Sequence, residues 1–226
     1  MPNPKALLID MDDTLFEERT YVDSGFRAVA AFLEAERDLP ADYSLPSMRA
    51  FFDLEGRGRV FDRIIERFEI RGAEGLVNAC IKHYRNHVPQ VELYPGVRSC
   101  LEDLSQSYKL GLVSNGLPLM QQRKLDALAI SDLFDTVVFC DGIDAPKPSA
   151  TGVLQAMTEL GVSAEQVMMI GDNPDTDGAA AAAACIPFVR VKSERFAHAP
   201  SLGPEIRHFI DVVTVLQKPM SKGPAA

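Results

Sequence analysis

Three scarcities bound the reading. No apolar run approaches the roughly 18 residues a membrane-spanning helix needs. The first apolar stretch, Ala6 to Ile9, is too short for a signal-peptide core and runs straight into charged residues. Cysteine is sparse: Cys80, Cys100, Cys140 and Cys185 are widely spaced, with no CxxC pair. They read as small buried hydrophobes in a reducing compartment, not as a zinc site or a disulfide framework. Basic charge is in deficit, with 23 Lys and Arg against 32 Asp and Glu and a net charge of −9. That balance argues against a surface tracking a phosphate backbone. No nucleic acid and no membrane are expected as partners, the cytoplasm is the expected compartment, and the oligomeric state is unread. A small anionic substrate stays open, because a local site can oppose the net charge.

With 226 residues, the length suits one large domain, or one domain carrying a smaller one. An apolar fraction of 46% and a charged fraction of 24% are enough for a real core. Residues 5–9, K-A-L-L-I, form a short apolar run ending at Asp10, as a strand buried on both faces would. Similar runs recur at Leu110–Val113, Val137–Phe139, Val167–Ile170 and Phe188–Val191. Helical spacing fills most of the gaps. Leu117–Ile130 has Leu119, Leu125 and Leu128 as apolar points. Ser149–Leu160 has Ser149 as the expected N-cap and Val153, Leu154 and Met157 facing inward. Asp175–Cys185 carries an alanine run that favours helix and close packing on a sheet. Strands alternating with helices predict an α/β fold, a parallel sheet covered on both sides.

Residues 16–92 break that rhythm. They hold three or four helical patterns, among them Tyr21–Arg37, Arg59–Glu69 and Ala73–His87, and no convincing strand. The expected organisation is a core built from 1–15 and 93–217, a helical module inserted at 16–92, and a disordered tail at 218–226.

Four strand ends carry chemistry-bearing residues, and ligands in open α/β sheets bind beyond such ends. D-M-D-D-T-L, residues 10–15, puts Asp10 and Asp12 on one side of an extended segment. Two like charges there are costly unless a cation neutralises them; the plainer reading is a solvated acidic turn. V-S-N-G, residues 113–116, offers the Ser114 hydroxyl, Asn115 and turn N–H groups that suit a phosphate oxygen. A strand–turn–helix junction needs a glycine turn in any case. A-P-K-P-S, residues 145–149, holds Lys147 between prolines that fix the backbone; an exposed loop lysine is the alternative. M-M-I-G-D-N-P-D-T-D, residues 168–177, ends in Asp172, Asp175 and Asp177. These are hard oxygen ligands suited to magnesium, or a capping-type acidic turn.

Taken together and in this order, the four motifs resemble those of the haloacid-dehalogenase-like superfamily of hydrolases over most of the chain. The resemblance implies a Rossmann-like three-layer parallel sheet with an inserted helical cap that closes over the site. It implies a phosphatase branch acting on a small phosphorylated metabolite: a sugar phosphate, a nucleoside monophosphate or a phospho-acid. Asp10 would be the nucleophile forming an aspartyl-phosphate, and Asp12 the general acid and then base. Mg²⁺ would be held by the carboxylates of Asp10 and Asp172 and the backbone carbonyl of Asp12, with Asp177 behind them and Asp175 less secure. Ser114, Asn115 and Lys147 would bind the phosphoryl group. Dehalogenases in this resemblance lack the second acid, so Asp12 favours ester hydrolysis over dehalogenation. Nothing demands a phosphomutase. Receiver-type phospho-acceptor domains share the acidic cluster, hydroxyl and lysine but are about half this length. In the insert, Arg57 and Arg59 lie beside glycines, where they would reach substrate or simply be solvated turn residues. His83 and His87, four apart, lack a nearby third ligand and read as incidental.

Overall fold

Extended apolar runs become strands because their alternate side chains can all be buried. The computed structural model describes residues 4–201 and 203–217. The tail expected to be disordered, 218–226, lies outside the described residues. The chain divides into two compact units, Glu18–Val91 and the segments on either side of it.

The first unit is a parallel sheet. Its strands are β1 (Ala6–Ile9), β2 (Lys109–Ser114), β3 (Thr136–Phe139), β4 (Val167–Gly171), β5 (Phe188–Val191) and β6 (Glu205–Ile206), in the spatial order β3-β2-β1-β4-β5-β6. All four residues of β1 are fully buried. Ala6 and Leu8 join one apolar cluster with Val153, Ala156 and Met157. Leu7 and Ile9 point to the opposite face and are equally inaccessible. Strand order reverses around β1, which pairs with β2 on one side and β4 on the other, Ile9 lying opposite both Leu112 and Ile170. Such a reversal opens a crevice at the carboxyl ends.

The α-helices of this unit are Val97–Ser105 (α5), Pro118–Leu128 (α6), Thr151–Leu160 (α7), Ala179–Ala183 (α8) and Val212–Gln217 (α9). Several expectations are corrected here. Leu119 is 55% exposed, because the inward face of α6 is made by Gln121, Lys124, Leu125 and Leu128. Leu154 is exposed, while Val153 and Met157 are buried. Ser149 is not the N-cap of α7, which starts two residues later after Ala150, although its hydroxyl accepts from Thr151 N at 3.3 Å. The helix expected over Asp175–Cys185 is a π-helical turn, Pro174–Gly178, followed by the short α8. Cys185 is exposed, not buried; Cys80, Cys100 and Cys140 are buried, and all four are free thiols.

The second unit is helical: α1 (Glu18–Arg37), α2 (Ala41–Glu55), α3 (Val60–Arg67) and α4 (Leu76–Asn86). Val22, Phe26, Val29 and Leu33 line one stripe of α1 and meet Met48, Ile64, Leu76 and Cys80. Gly25 lets α4 approach: a Cβ there would stand 2.4 Å from the Tyr84 ring. The chain leaves and re-enters the sheet unit side by side, with Phe16 bridging Leu93 and Tyr94 N donating to Leu15 O at 2.9 Å. Among the described residues no helix is long and apolar enough to cross a membrane.

Candidate active site

Asp10 is the first residue past β1, and its N–H still donates to Ile170 O at 2.9 Å. Asp172 is the first past the neighbouring β4. The π-helical turn after Asn173 carries Asp177 back to them, its N–H and that of Gly178 both donating to Asn173 O. The extra residue in such a turn re-aims a side chain, and π-turns gather at functional sites. One carboxylate oxygen of each of Asp10, Asp172 and Asp177 lies within 4.8 Å of the others. All three residues are buried, Asp177 being 1% exposed. Gly171 makes that approach possible, since a Cβ there would sit 2.3 Å from Asp177 Oδ2.

Lys147 answers this charge. It is 4% exposed, not an exposed loop lysine. Its Nζ lies 2.6 Å from Asp10 Oδ1 and 2.6 Å from Asp177 Oδ1, and donates to Val113 O at 2.8 Å. Asn115 fixes the loop that delivers it. Its Nδ2 donates to Lys147 O at 2.9 Å, and its Oδ1 accepts from Lys147 N at 2.7 Å. Both polar atoms of the Asn115 side chain thus engage the lysine loop.

Three buried carboxylates beside one ammonium are electrostatically strained. Burial, reinforced by Asp177 and Asp12, pushes the Asp10 carboxyl well above its ordinary range against the pull of Lys147. Burial, then Asp177 and Asp13, push Asp172 up to about 7, with a Ser193 hydrogen bond opposing. Burial disfavours the Lys147 ammonium, but Asp10 and Asp177 outweigh it and raise its pKa. Hard oxygens converging under this strain are the donor set a divalent cation relieves. The residues present fit such an ion.

Asp12 points elsewhere. Lys124 Nζ donates to its two oxygens at 2.7 and 2.9 Å, and Gln121 Nε2 donates to Oδ2 at 3.0 Å. The same Gln121 nitrogen donates to Ser114 Oγ at 2.8 Å. Ser114 is 1% exposed at the end of β2. Asp175 is exposed and stands outside the carboxylate cluster. Arg57 and Arg59 belong to the helical unit, where Arg57 pairs with Glu18 at 2.5 Å and Arg59 with Glu66 at 3.0 Å. His83 stacks on Phe32 with centroids 4.0 Å apart, and His87 Nδ1 lies 2.6 Å from Tyr84 O.

Three residues escaped the sequence reading: Lys124, Gln121 and Ser193, whose hydroxyl donates to Asp172 Oδ2 at 3.1 Å. A polar pair at i, i+3 on the inward face of α6 was the available signal for the first two. Ser193 gave none. Beside Ser193 opens a cleft of about 970 Å³ lined by Asp13, Tyr94, Arg190 and His208, among others.

Comparison with known proteins places this geometry in a family. Residues 7–191 match the family model described as haloacid dehalogenase-like hydrolase. A glyceraldehyde 3-phosphate phosphatase of Methanopyrus kandleri is 30% identical over 199 residues, covering 85% of each chain. A phosphoglycolate phosphatase of Aquifex aeolicus is 29% identical over 74% of this chain and 76% of its own. Among solved structures, a HAD-superfamily hydrolase of subfamily IA from Geobacter sulfurreducens has the same fold, with a TM-score of 0.71 at 20% identity over 95% of this chain and 97% of that one. The chain is an enzyme of the haloacid dehalogenase-like hydrolase family.

Proposed function

We propose that the protein is a Mg²⁺-dependent phosphatase that hydrolyses a small phosphate monoester through an aspartyl-phosphate on Asp10. The observation that carries this reading is the convergence of Asp10, Asp172 and Asp177 within 4.8 Å, with Lys147 2.6 Å from two of them. The phosphatase relatives support the reaction class. The donor set supports a divalent ion held by Asp10, Asp172 and the Asp12 backbone carbonyl, with Asp177 alongside. Bound there, Mg²⁺ would supply positive charge to the phosphoryl oxygens.

A carboxylate oxygen of Asp10 attacks phosphorus, and the bond to the leaving oxygen breaks. Asp12 gives that oxygen its proton. Water then attacks phosphorus, the bond to Asp10 breaks, and Asp12 takes the proton from the water. Lys147 offsets charge on the transferring group, and Ser114 offers it a hydroxyl. The helical unit is assigned the choice of leaving group, with Arg57 and Arg59 as its candidate contacts. Phosphorylated sugars, nucleoside monophosphates and phospho-acids are the substrate classes.

The test is phosphate release over a panel of such esters, with and without Mg²⁺, for the wild type and Asp10→Asn. Release that needs Mg²⁺ and vanishes in a folded Asp10→Asn variant is expected. Steady-state turnover by that variant would refute the nucleophile, and activity confined to a halogenated acid would refute the phosphatase.

A further inference from the structure

A D-x-D spacing brings two carboxylates to one strand end, and the two have different work to do. The structure sorts them with two buried lysines. Lys147 takes Asp10 and Asp177. Lys124, 3% exposed, takes both oxygens of Asp12. Asp12 thereby stays out of the cluster formed by Asp10, Asp172 and Asp177.

Burying an ammonium and a carboxamide on the inward face of a helix is costly unless both are fully engaged. Farther along α6, Leu125 and Leu128 fill that same face in the ordinary apolar way. At the site end, Gln121 is 2% exposed and bridges Asp12 Oδ2 and Ser114 Oγ through one nitrogen. The preceding turn is shaped to admit it. Gly116 has φ +123°, and a Cβ there would stand 2.9 Å from Gln121 Cδ. Lys124 Nζ also lies 6.0 Å from the centroid of the Phe16 ring, which is fully buried. The ammonium is thus enclosed by an aromatic ring and the carboxylate it serves.

We propose that Lys124 and Gln121 are positioning residues that hold the Asp12 carboxyl group in one orientation, at a fixed offset from the Ser114 hydroxyl. The inference rests on the acid–base role of Asp12 proposed above. A carboxyl group that must protonate a leaving oxygen, and later accept a proton from water, needs the same oxygen in the same place twice. Three hydrogen bonds from two donor groups to its two oxygens provide that constraint. Gln121 ties it to the phosphate-binding end of β2, so that acid and phosphoryl group are set by one side chain.

The test exploits the leaving group. An alkyl ester such as glycerol 2-phosphate needs its leaving oxygen protonated, whereas 4-nitrophenyl phosphate expels a stable phenolate and needs far less help. The measurement is kcat/KM for both esters with saturating Mg²⁺, in the wild type, Lys124→Met, Gln121→Met and Asp12→Asn. General acid catalysis contributes about 10²–10⁴-fold, so Lys124→Met is expected to lose about 100-fold on the alkyl ester and under about 5-fold on the aryl ester. Gln121→Met is expected to show a smaller split of the same sign, and it carries the test alone if Lys124→Met does not fold. Adding Lys124→Met to Asp12→Asn is expected to widen the split no further. Equal losses on both esters, or no loss, would overturn the positioning role. A missing split in Asp12→Asn itself would refute the acid role on which the inference stands. Release by the wild type from neither ester and from no member of the panel above would remove the phosphatase reading and the inference with it.

Discussion

Replacing Gly171 by alanine should damage the site while adding only one methyl group. The new Cβ would stand 2.3 Å from Asp177 Oδ2, 2.6 Å from its Cγ and 2.9 Å from its Cβ. A carboxylate in such a place must retreat by about 1 Å to reach ordinary contact, and overpacking of this kind costs about 1–3 kcal/mol. The retreat stretches the 2.6 Å contact to Lys147. At an effective dielectric constant of about 20, that lengthening weakens the attraction by about 2 kcal/mol. For a chain of this size, about 2 kcal/mol lowers Tm by about 4–8 °C. The same energy is about 30-fold in a rate or binding constant. The assays are thermal unfolding in chelator and kcat/KM for the best ester in Mg²⁺. Gly58→Ala is the control, because a Cβ at 58 meets nothing within 4 Å. A Gly171→Ala protein that melts within about 1 °C of wild type, inside the range of neutral surface changes, and keeps its kcat/KM would refute the account of how Asp177 is placed.

Three further outcomes are expected. Asn115→Ala removes both hydrogen bonds to the Lys147 backbone; about 1–2 kcal/mol of stability should go, and kcat should fall more than KM rises. An effect on KM alone would return Asn115 to the phosphate. The chelated protein should lose stability as pH rises: Asp10 and Asp172 titrate higher folded than unfolded, so their contribution is complete at low pH and is lost as pH rises through their folded values, about 7 for Asp172. Mg²⁺ should therefore raise Tm more at pH 7.5 than at pH 5.5, in a comparison bracketing that value, and a pH-independent increment would contradict the strained cluster. Brief alkylation followed by peptide mass spectrometry should modify Cys185, which is exposed, ahead of Cys80 and Cys100, whose thiols burial pushes up to about 11. Equal labelling of Cys80 would show that the helical unit opens readily.

The sheet was legible because a strand buried on both faces leaves a short apolar run, and five of the six described strands carry one, although Arg190 interrupts β5 and β3 alternates buried and half-buried residues. The sixth, Glu205–Ile206, is two residues long and is defined by pairing with β5 alone. Helix α2 was missed because only Ser44 and Met48 are buried along it, and Pro46 lies within it, so its apolar stripe is faint. In helix α6 two of the three expected apolar points, Leu125 and Leu128, are buried, and the third, Leu119, is not. Periodicity assumes that the buried face is the apolar one, and here Leu119 faces out while Gln121 and Lys124 face in. The candidate site includes the start of that helix, where Gln121 and Lys124 meet Asp12, and there the rule fails for a chemical reason.

The site itself was legible at its charged ends and opaque in its wiring. Carboxylates at strand ends are visible one motif at a time. Their contacts are not: Lys147 has a motif of its own but its pairing with Asp10 spans 137 positions, and Lys124, which meets Asp12 across 112, has none. Those distances decide which carboxylate does what. Asp12 and Lys124 close as a pair of opposite charges. Asp10, Asp172 and Asp177 have a single buried ammonium between them, so their ionised cluster is two charges short of neutrality. A monovalent ion would leave that debt half settled, and another lysine would settle half of it permanently. A dication would match it. Burial first, and this excess of negative charge after it, push Asp10 and Asp172 up, as a reluctance to ionise.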